Sequence, residues 1–362
     1  MNKKALFVIG NGVYPHVVGG MEIFNYYLLR SIRHRVRITC FAAREYDFDG
    51  IEYIKSFNLR PSKFLFPMQL FFCLLIHRFD KIVFSYSAAH WIIWWAFTKI
   101  AVLFKIPYVV VIHFGKKPPI RRIGVYRDFF SSAQHVIAVS DDIKRNFDNQ
   151  YGISCEVIPP LVPFEEAKGD KIMFRKKYNL PEEATIICMV GSIKAMKNPD
   201  TLLDAIKMFE TDARLKFNPH IIYAGTGEMV ASLKQRIAQY GIIDRVHFLG
   251  FVPKENINEI MALSDIYVIA SDFEGTSVSL LEAMYNGKLI IASNAPGIKD
   301  TITPNECLMF PIKDAKALKV AIVSILNDEN LRMQLSTNAK HRYFELYNYD
   351  NVVENYLKIL NC

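Results

Sequence analysis

Two carboxylates, Glu274 and Glu282, stand with seven residues between them in the stretch Ser271-Asp272-Phe273-Glu274-Gly275-Thr276-Ser277-Val278-Ser279-Leu280-Leu281-Glu282-Ala283-Met284. The stretch follows the apolar run Ile266–Ala270 and opens a helical pattern, so it reads as a strand-to-helix loop and the helix it starts. Gly275 lets the backbone turn tightly or approach a ligand. The first N–H groups of that helix, near Thr276 and Ser277, have no internal partner, and with the helix dipole they suit a diphosphate. Phosphate repels a carboxylate, so Glu274 and Glu282 need another task there. Accepting hydrogen bonds from sugar hydroxyls is that task. The same residues also describe a plain helix capped by Thr276 or Ser277, with Glu282 on its surface.

Other loops carry related signals. Gly191-Ser192-Ile193-Lys194-Ala195-Met196-Lys197-Asn198-Pro199 follows another apolar run. Lys197 would open the next helix and could bring a point charge to the same phosphates; the plain reading is a solvated loop lysine. Ala224-Gly225-Thr226-Gly227-Glu228 has two glycines after a third run, which a simple turn also explains. Gly19-Gly20 precedes a helical pattern over Glu22–Ile32 and forms a flexible loop able to close over a diphosphate. His113 ends the run Tyr108–Ile112, where a ligand could meet a sheet or where a histidine simply bonds to backbone. His16, in the loop Pro15–Gly20, is a candidate for acceptor contact.

The elements that must position these loops alternate between strand and helix. Lys4–Gly10, Val36–Phe41, Ile82–Ser85, Tyr108–His113 and His135–Ser140 are short apolar runs typical of buried parallel strands. The pattern pauses at Val157-Ile158-Pro159-Pro160-Leu161-Val162-Pro163, a stiff extended connector. It restarts with strands at Thr185–Gly191, His220–Ala224, Val246–Leu249, Ile266–Ala270 and Leu289–Ala292. Helical patterns run over Asn198–Phe209, Met229–Tyr240, Asn256–Leu263, Ser277–Asn286 and Ala315–Leu326, and over Leu331–Leu360 with a break near Tyr347–Asp350. The expected fold is α/β, two doubly wound Rossmann-like domains facing across a cleft, with ligands beyond the carboxyl ends of the strands. The domains expected are residues 1–160, residues 161–345, and a terminal helix at 346–362 packed back on the first.

Composition narrows the classes. The 362 residues are 51% hydrophobic and 22% charged, which suits two cored domains rather than disorder. Six scattered cysteines form no CxxC pair and read as reduced thiols in a cytoplasmic protein. No signal-peptide pattern and no spanning apolar run occurs. Residues 1–160 hold 21 Lys/Arg against 11 Asp/Glu, a balance of +10, whereas residues 161–362 balance at −2. Basic residues interleaved with the apolar stretches Phe64–Ile76 and Trp91–Phe104 suit a peripheral place on an anionic membrane surface better than a nucleic-acid groove. The bland alternative makes both stretches core helices with Trp94 and Trp95 buried. Nucleic acid would leave the glycine loops and the Glu pair unexplained, so it is not an expected partner.

Taken together, Glu274-x7-Glu282 followed by Ala283-Met284, Gly19-Gly20 before a helix, Gly191 with Lys197, Gly225, Phe248-Leu249-Gly250 and Asn286-Gly287-Lys288 resemble the retaining glycosyltransferases of family 4, the glycosyl transferases group 1, which have the GT-B fold. The likeness covers most of the chain and is strongest over residues 185–293. It implies a nucleotide-diphosphate sugar, with UDP favoured, held mainly by the second domain, and a glycan or lipid-linked acceptor held by the first. It implies no cofactor and a metal-independent reaction. Glu274 would hold donor-sugar hydroxyls and Glu282 the ribose. Lys197, the Gly20 backbone and the N–H groups at Thr276 and Ser277 would stabilise the leaving diphosphate. Gly19, Gly191, Ser192, Gly225 and Gly275 would shape the donor site, and Phe251 could stack on the base, although an aromatic after a strand commonly belongs to a core. His113 would contact the donor sugar near the reacting carbon. Many relatives carry Arg where this chain has Ser192, so one charge of the phosphate clamp is missing or comes from elsewhere, such as Lys194. Competing readings are a GT-B-like sugar nucleotide epimerase or hydrolase, and a nucleotide-sugar-binding protein that has lost its catalytic step.

Overall fold

The structure, a computed structural model, describes residues 3–9, 20–42, 49–56, 65–86, 91–113, 123–161, 163–210 and 217–360. The chain divides into two compact units, residues 1–163 together with 348–362, and residues 164–347. His16 and Gly19 lie outside the described residues, as does Cys362. The other five cysteines are free and buried.

The first unit runs β1 (Lys4–Ile9), α1 (Gly20–Ile32), β2 (Arg37–Ala42), β3 (Ile51–Lys55), α2 (Leu65–Ile76), β4 (Lys81–Tyr86), α3 (Trp91–Phe104), β5 (Tyr108–Ile112), α4 (Ile123–Ser131), β6 (His135–Ala138), α5 (Asp141–Tyr151) and β7 (Glu156–Val157). Its seven parallel strands take the order β3-β2-β1-β4-β5-β6-β7. A sheet covered on both faces needs strands that are apolar throughout, and β5, Tyr-Val-Val-Val-Ile, is buried at every position. Gly20 is the first residue of α1, so the helix starts two residues before the pattern that begins at Glu22.

The second unit runs α6 (Lys171–Lys177), β8 (Thr185–Val190), α7 (Pro199–Glu210), β9 (Pro219–Ala224), α8 (Val230–Tyr240), β10 (Val246–Gly250), α9 (Ile257–Leu263), β11 (Ile266–Ile269), α10 (Val278–Tyr285), β12 (Leu289–Ser293), α11 (Ile298–Thr301), β13 (Leu308–Phe310), α12 (Ala315–Asn327) and α13 (Glu329–Leu346). Its parallel sheet has the order β10-β9-β8-β11-β12-β13. Chain order reverses between β8 and β11, and the loops leaving two such neighbours diverge to opposite faces of a sheet. The loops holding Lys197 and Glu274 leave these two strands.

The last helix, α14 (Tyr349–Leu360), belongs to the first unit. Tyr356 and Leu357 are buried, and the Tyr356 ring lies 5.7 Å from that of Phe24 on α1. Lys81, buried at the start of β4, donates to the Ile359 carbonyl at 2.5 Å, while Arg35 pairs with Glu354 at 2.7 Å. The Tyr349 and Ser31 hydroxyls also meet.

Candidate active site

Two loops of the second unit are laced together at the β8–β11 reversal. After β8, Ala195–Lys197 makes one 3-10 turn, and Asn198 follows in the left-handed region at φ 47°. Its side chain donates to the Ala270 carbonyl at 2.9 Å and to Asp272 at 2.6 Å, and the Asp272 N–H donates to the Met196 carbonyl at 2.9 Å. Asn198 therefore fixes the Lys197 loop to the Glu274 loop, a role that a reading of it as the helix start missed.

The lacing brings Lys197 onto Glu274. The Lys197 ammonium donates to Glu274 Oε1, and the Ser271 hydroxyl donates to the same oxygen at 2.6 Å. A small cavity here is lined by Gly191, Ser192, Lys197, Ser271, Glu274 and Ser279. The sequence reading gave Lys197 and Glu274 separate partners; in this structure each is the other's counter-ion. Ser277 caps α10, accepting from the Leu280 N–H at 3.4 Å, so the cap reading of Ser277 holds. The early N–H groups of α10 keep the anion-favouring end of the helix beside this loop.

Two glycines shape the loops by their missing side chains. A Cβ on Gly225 would stand 1.8 Å from the Gly191 carbonyl oxygen. The β8 and β9 loops are joined there by Gly191 N–H to Ala224 O at 3.0 Å and Ile193 N–H to Thr226 O at 2.9 Å. Gly225 thus serves by packing against the phosphate-loop candidate. Gly297, which the sequence reading passed over, does the same for Glu274: a Cβ on it would stand 1.9 Å from the Glu274 carbonyl oxygen. The Pro296-Gly297 pair after β12 was the available signal.

Glu282 is the fifth residue of α10 and is buried, not on the helix surface. Its Oε1 accepts from the Lys254 ammonium, whose side chain is 10% exposed and which lies 4.5 Å from the centre of the Phe164 ring. Burial pushes the Glu282 carboxyl above its ordinary value, and the charge and hydrogen bond of Lys254 act against that. Lys254 was not singled out from sequence, because Pro-Lys-Glu-Asn reads as a solvated turn. Phe251, which follows β10, is 58% exposed, so the alternative of a core aromatic does not hold and a ring face is open for the stacking expected of it.

His113 in the first unit is buried at the end of β5. Its Nε2 lies 3.1 Å from the Ser85 hydroxyl of β4, and its ring meets Phe24 edge-on at 4.9 Å. Among the described residues its hydrogen-bond partner is thus a side chain rather than the backbone of the plain alternative. Burial lowers its pKa to about 3, so the ring is neutral near pH 7. Ser192 and Lys194 are both exposed. Among the described residues, no three His, Cys, Asp or Glu side chains gather as a metal site would require.

Residues 170–342 match the family described as Glycosyl transferases group 1, and residues 18–166 match the family described as Glycosyltransferase Family 4. A Campylobacter jejuni protein named as the alpha-1,4-N-acetyl-D-galactosaminyltransferase of a GalNAc-bearing diNAcBac-PP-undecaprenol is 30% identical over 53% of this chain and 51% of its own length. The chain spans about half the length of the curated relatives it matches. Among solved structures, a sucrose-phosphate synthase from Thermosynechococcus elongatus superposes with TM-score 0.82 at 17% identity, covering 99% of this chain and 98% of the other. Anabaena HepE, solved with UDP-glucose, gives TM-score 0.80 at 18% identity over 99% and 100% of the two chains. At these identities the structural likeness speaks for the fold.

Proposed function

The chain belongs to the family 4 glycosyltransferases of the GT-B fold, and from that premise we propose that it moves a sugar from a nucleotide-diphosphate donor to an acceptor hydroxyl with retention at the anomeric carbon. The observation that carries the proposal is the joining of Lys197 and Glu274 on two loops at the strand-order reversal, beside the N-terminus of α10. In the donor complex the diphosphate takes Lys197 and the helix N–H groups, while Glu274 accepts from sugar hydroxyls. The bond from the anomeric carbon to the phosphate oxygen breaks as the acceptor oxygen bonds to the same face. The acceptor proton passes to the departing phosphate. Rate comes from positioning and from charge stabilisation on the leaving group, with no metal called on.

Glu282, held by Lys254, takes the ribose, and Phe251 offers a face to the base. The donor favoured is a UDP-hexose or UDP-N-acetylhexosamine; the HepE complexes with UDP and UDP-glucose support this choice. The acceptor proposed is a glycan or lipid-linked glycan in cell-surface polysaccharide or glycolipid synthesis, in keeping with the undecaprenol named for the Campylobacter relative. Such an acceptor places the protein in the cytoplasm, peripheral on the inner membrane face. His113, neutral and hydrogen-bonding, suits hydroxyls better than phosphate.

The test is calorimetry with UDP, GDP and ADP, then a transfer assay with the preferred base's sugar nucleotides and undecaprenol-diphosphate glycans. Tight UDP binding with acceptor-dependent sugar transfer is expected. Release of free sugar or an epimer at the same rate without acceptor would overturn the assignment as a transferase.

A further inference from the structure

We propose that the outward faces of α2 and α3 form one docking surface for the anionic headgroup layer of a lipid bilayer. The inference deepens the lipid-linked acceptor reading and rests on it for its setting; its test uses no transfer activity.

On α2, Leu65, Met68, Phe72, Leu75 and Ile76 are between 47% and 75% exposed. Steps of three, four, three and one residues put them on one side of a helix. Phe66, Leu70, Cys73 and Leu74 fill the other side and are buried. Pro67 sits in the first turn, where its missing N–H costs no helical bond. On α3, Trp95, Lys99, Val102 and Leu103 are exposed, again on one side, against buried Ile93, Phe97 and Ala101. The helices are neighbours, with the Phe66 and Phe97 rings 5.8 Å apart and those of Phe71 and Phe104 5.5 Å apart. Their apolar stripes thus lie in one stretch of surface, unlike the scattered single apolar residues of an ordinary exterior.

Charge names the occupant. Residues 53–127 carry twelve Lys and Arg, of which Lys81 is buried, and one acidic residue, Asp80. The Asp80 carboxylate already accepts from the Lys4 N–H at 2.8 Å. Arg78 follows α2, Lys99 lies on α3 and Lys105 follows it, all exposed. Exposed apolar side chains with cations at their edges are the pattern of helices lying in a bilayer interface, the former entering the acyl boundary and the latter pairing with lipid phosphates. At 12 and 14 residues, the helices are about 18 and 21 Å long, too short to span the ~30 Å of hydrocarbon, so they lie on it. A second copy of the chain fits poorly, because a two-fold interface on this face would gather the Arg78, Lys99 and Lys105 of both copies in one contact.

Flotation of the full chain with pure phosphatidylcholine vesicles, and with vesicles of phosphatidylcholine and phosphatidylglycerol in equal parts, tests this. The protein is expected to float with the anionic vesicles at low salt and to be released by high salt. The paired variant Arg78→Ala with Lys99→Ala should lower partitioning about fivefold for each charge removed. Phe72→Glu with Leu75→Glu should abolish it while leaving the melting temperature and UDP affinity unchanged. Equal recovery on both vesicle types, no recovery on either at low salt, or unaltered flotation of the Phe72→Glu pair would overturn the proposal. A dimer in sedimentation that the same pair dissociates, without flotation, would assign the face to a second copy instead. A protein that floats as expected yet binds no nucleotide would refute the donor reading and leave the docking surface standing.

Discussion

Lys254 and Glu282 form an ion pair enclosed within the second unit, their side chains 10% and 3% exposed. One partner follows β10 and the other lies inside α10, so the pair joins a loop to a helix that sequence places 28 residues away. Taking two charges out of water costs several kcal/mol for each ion, and their attraction often fails to recover it. Burial pushes the Glu282 carboxyl above its ordinary value although a lysine touches it. A carboxyl whose folded pKa is raised contributes stability below its unfolded pKa and loses it as pH rises through the folded value. In the proposed reaction the pair serves to hold the ribose.

Replacing both partners separates binding from stability. Lys254→Met or Glu282→Leu alone strands one buried charge and should cost about 3–5 kcal/mol. Lys254→Met with Glu282→Leu should melt at or above the wild-type temperature and bind UDP at least ~10-fold more weakly, as expected when a charged acceptor worth roughly 1.5–3 kcal/mol is lost. Urea unfolding and calorimetry on the four proteins complete the cycle. A double variant as unstable as the singles, or one that binds UDP normally, contradicts the assignment.

Lys197→Ala should lower kcat by about 10²–10³-fold with a much smaller change in the donor KM, because charge on the diphosphate grows as the bond to the sugar breaks. The variant also frees Glu274 from its ion pair, leaving the Ser271 hydroxyl as a donor to it. A loss confined to KM would assign Lys197 to ground-state binding alone.

Activity should survive EDTA, since Lys197 and the N–H groups at the start of α10 supply the diphosphate's counter-charge in the proposed reaction. Loss of turnover on chelation, restored by a divalent ion, would refute that description.

How far the sequence reveals this arrangement depends on where the information resides. Thr185–Val190 and Ile266–Ile269 are legible because strands buried on both faces are continuous apolar runs. The edge strand β3, Ile-Glu-Tyr-Ile-Lys, is half exposed and mixed in type, and β7 and β13 are only two and three residues long, so none shows such a run. Glu274 and Glu282 are found by spacing along one chain segment. Their partners are not: Lys254 reaches Glu282, and Gly297 reaches Glu274, through packing between segments far apart in sequence. For Phe251 the sequence leaves stacking and core open for the same reason, since exposure after a strand depends on what the next loop covers.

His113 should make the protein acid-sensitive. Its folded pKa of about 3 lies below the unfolded value near 6.5, so the unfolded chain binds the extra proton first. Stability then falls as pH drops from about 6.5 toward 3, by at most about 1.4 kcal/mol per pH unit from this one group. His113→Gln should flatten that slope. Urea unfolding at pH 7, 5 and 4 measures it; an unchanged slope would mean that the ring is not held neutral.

Gly297→Ala should damage turnover while sparing the nucleotide. Gly297 holds φ at 81°, a region unfavourable to a side chain, and its new Cβ would stand 1.9 Å from the Glu274 carbonyl oxygen. The Glu274 backbone must move, at a stability cost of about 1–3 kcal/mol. In the proposed reaction Glu274 takes the sugar, whereas UDP alone would be held through Glu282, Lys197 and the α10 N–H groups. A shift of a carboxylate that orients the sugar by even ~1 Å can cost about 10²-fold in rate. The expected outcome is a folded protein with UDP affinity within about threefold of wild type, which is under 1 kcal/mol, and kcat lowered by one to two orders of magnitude. If UDP affinity fell in step with turnover, the displaced loop would be holding the diphosphate, and the division of labour between Glu274 and Lys197 would have to be redrawn.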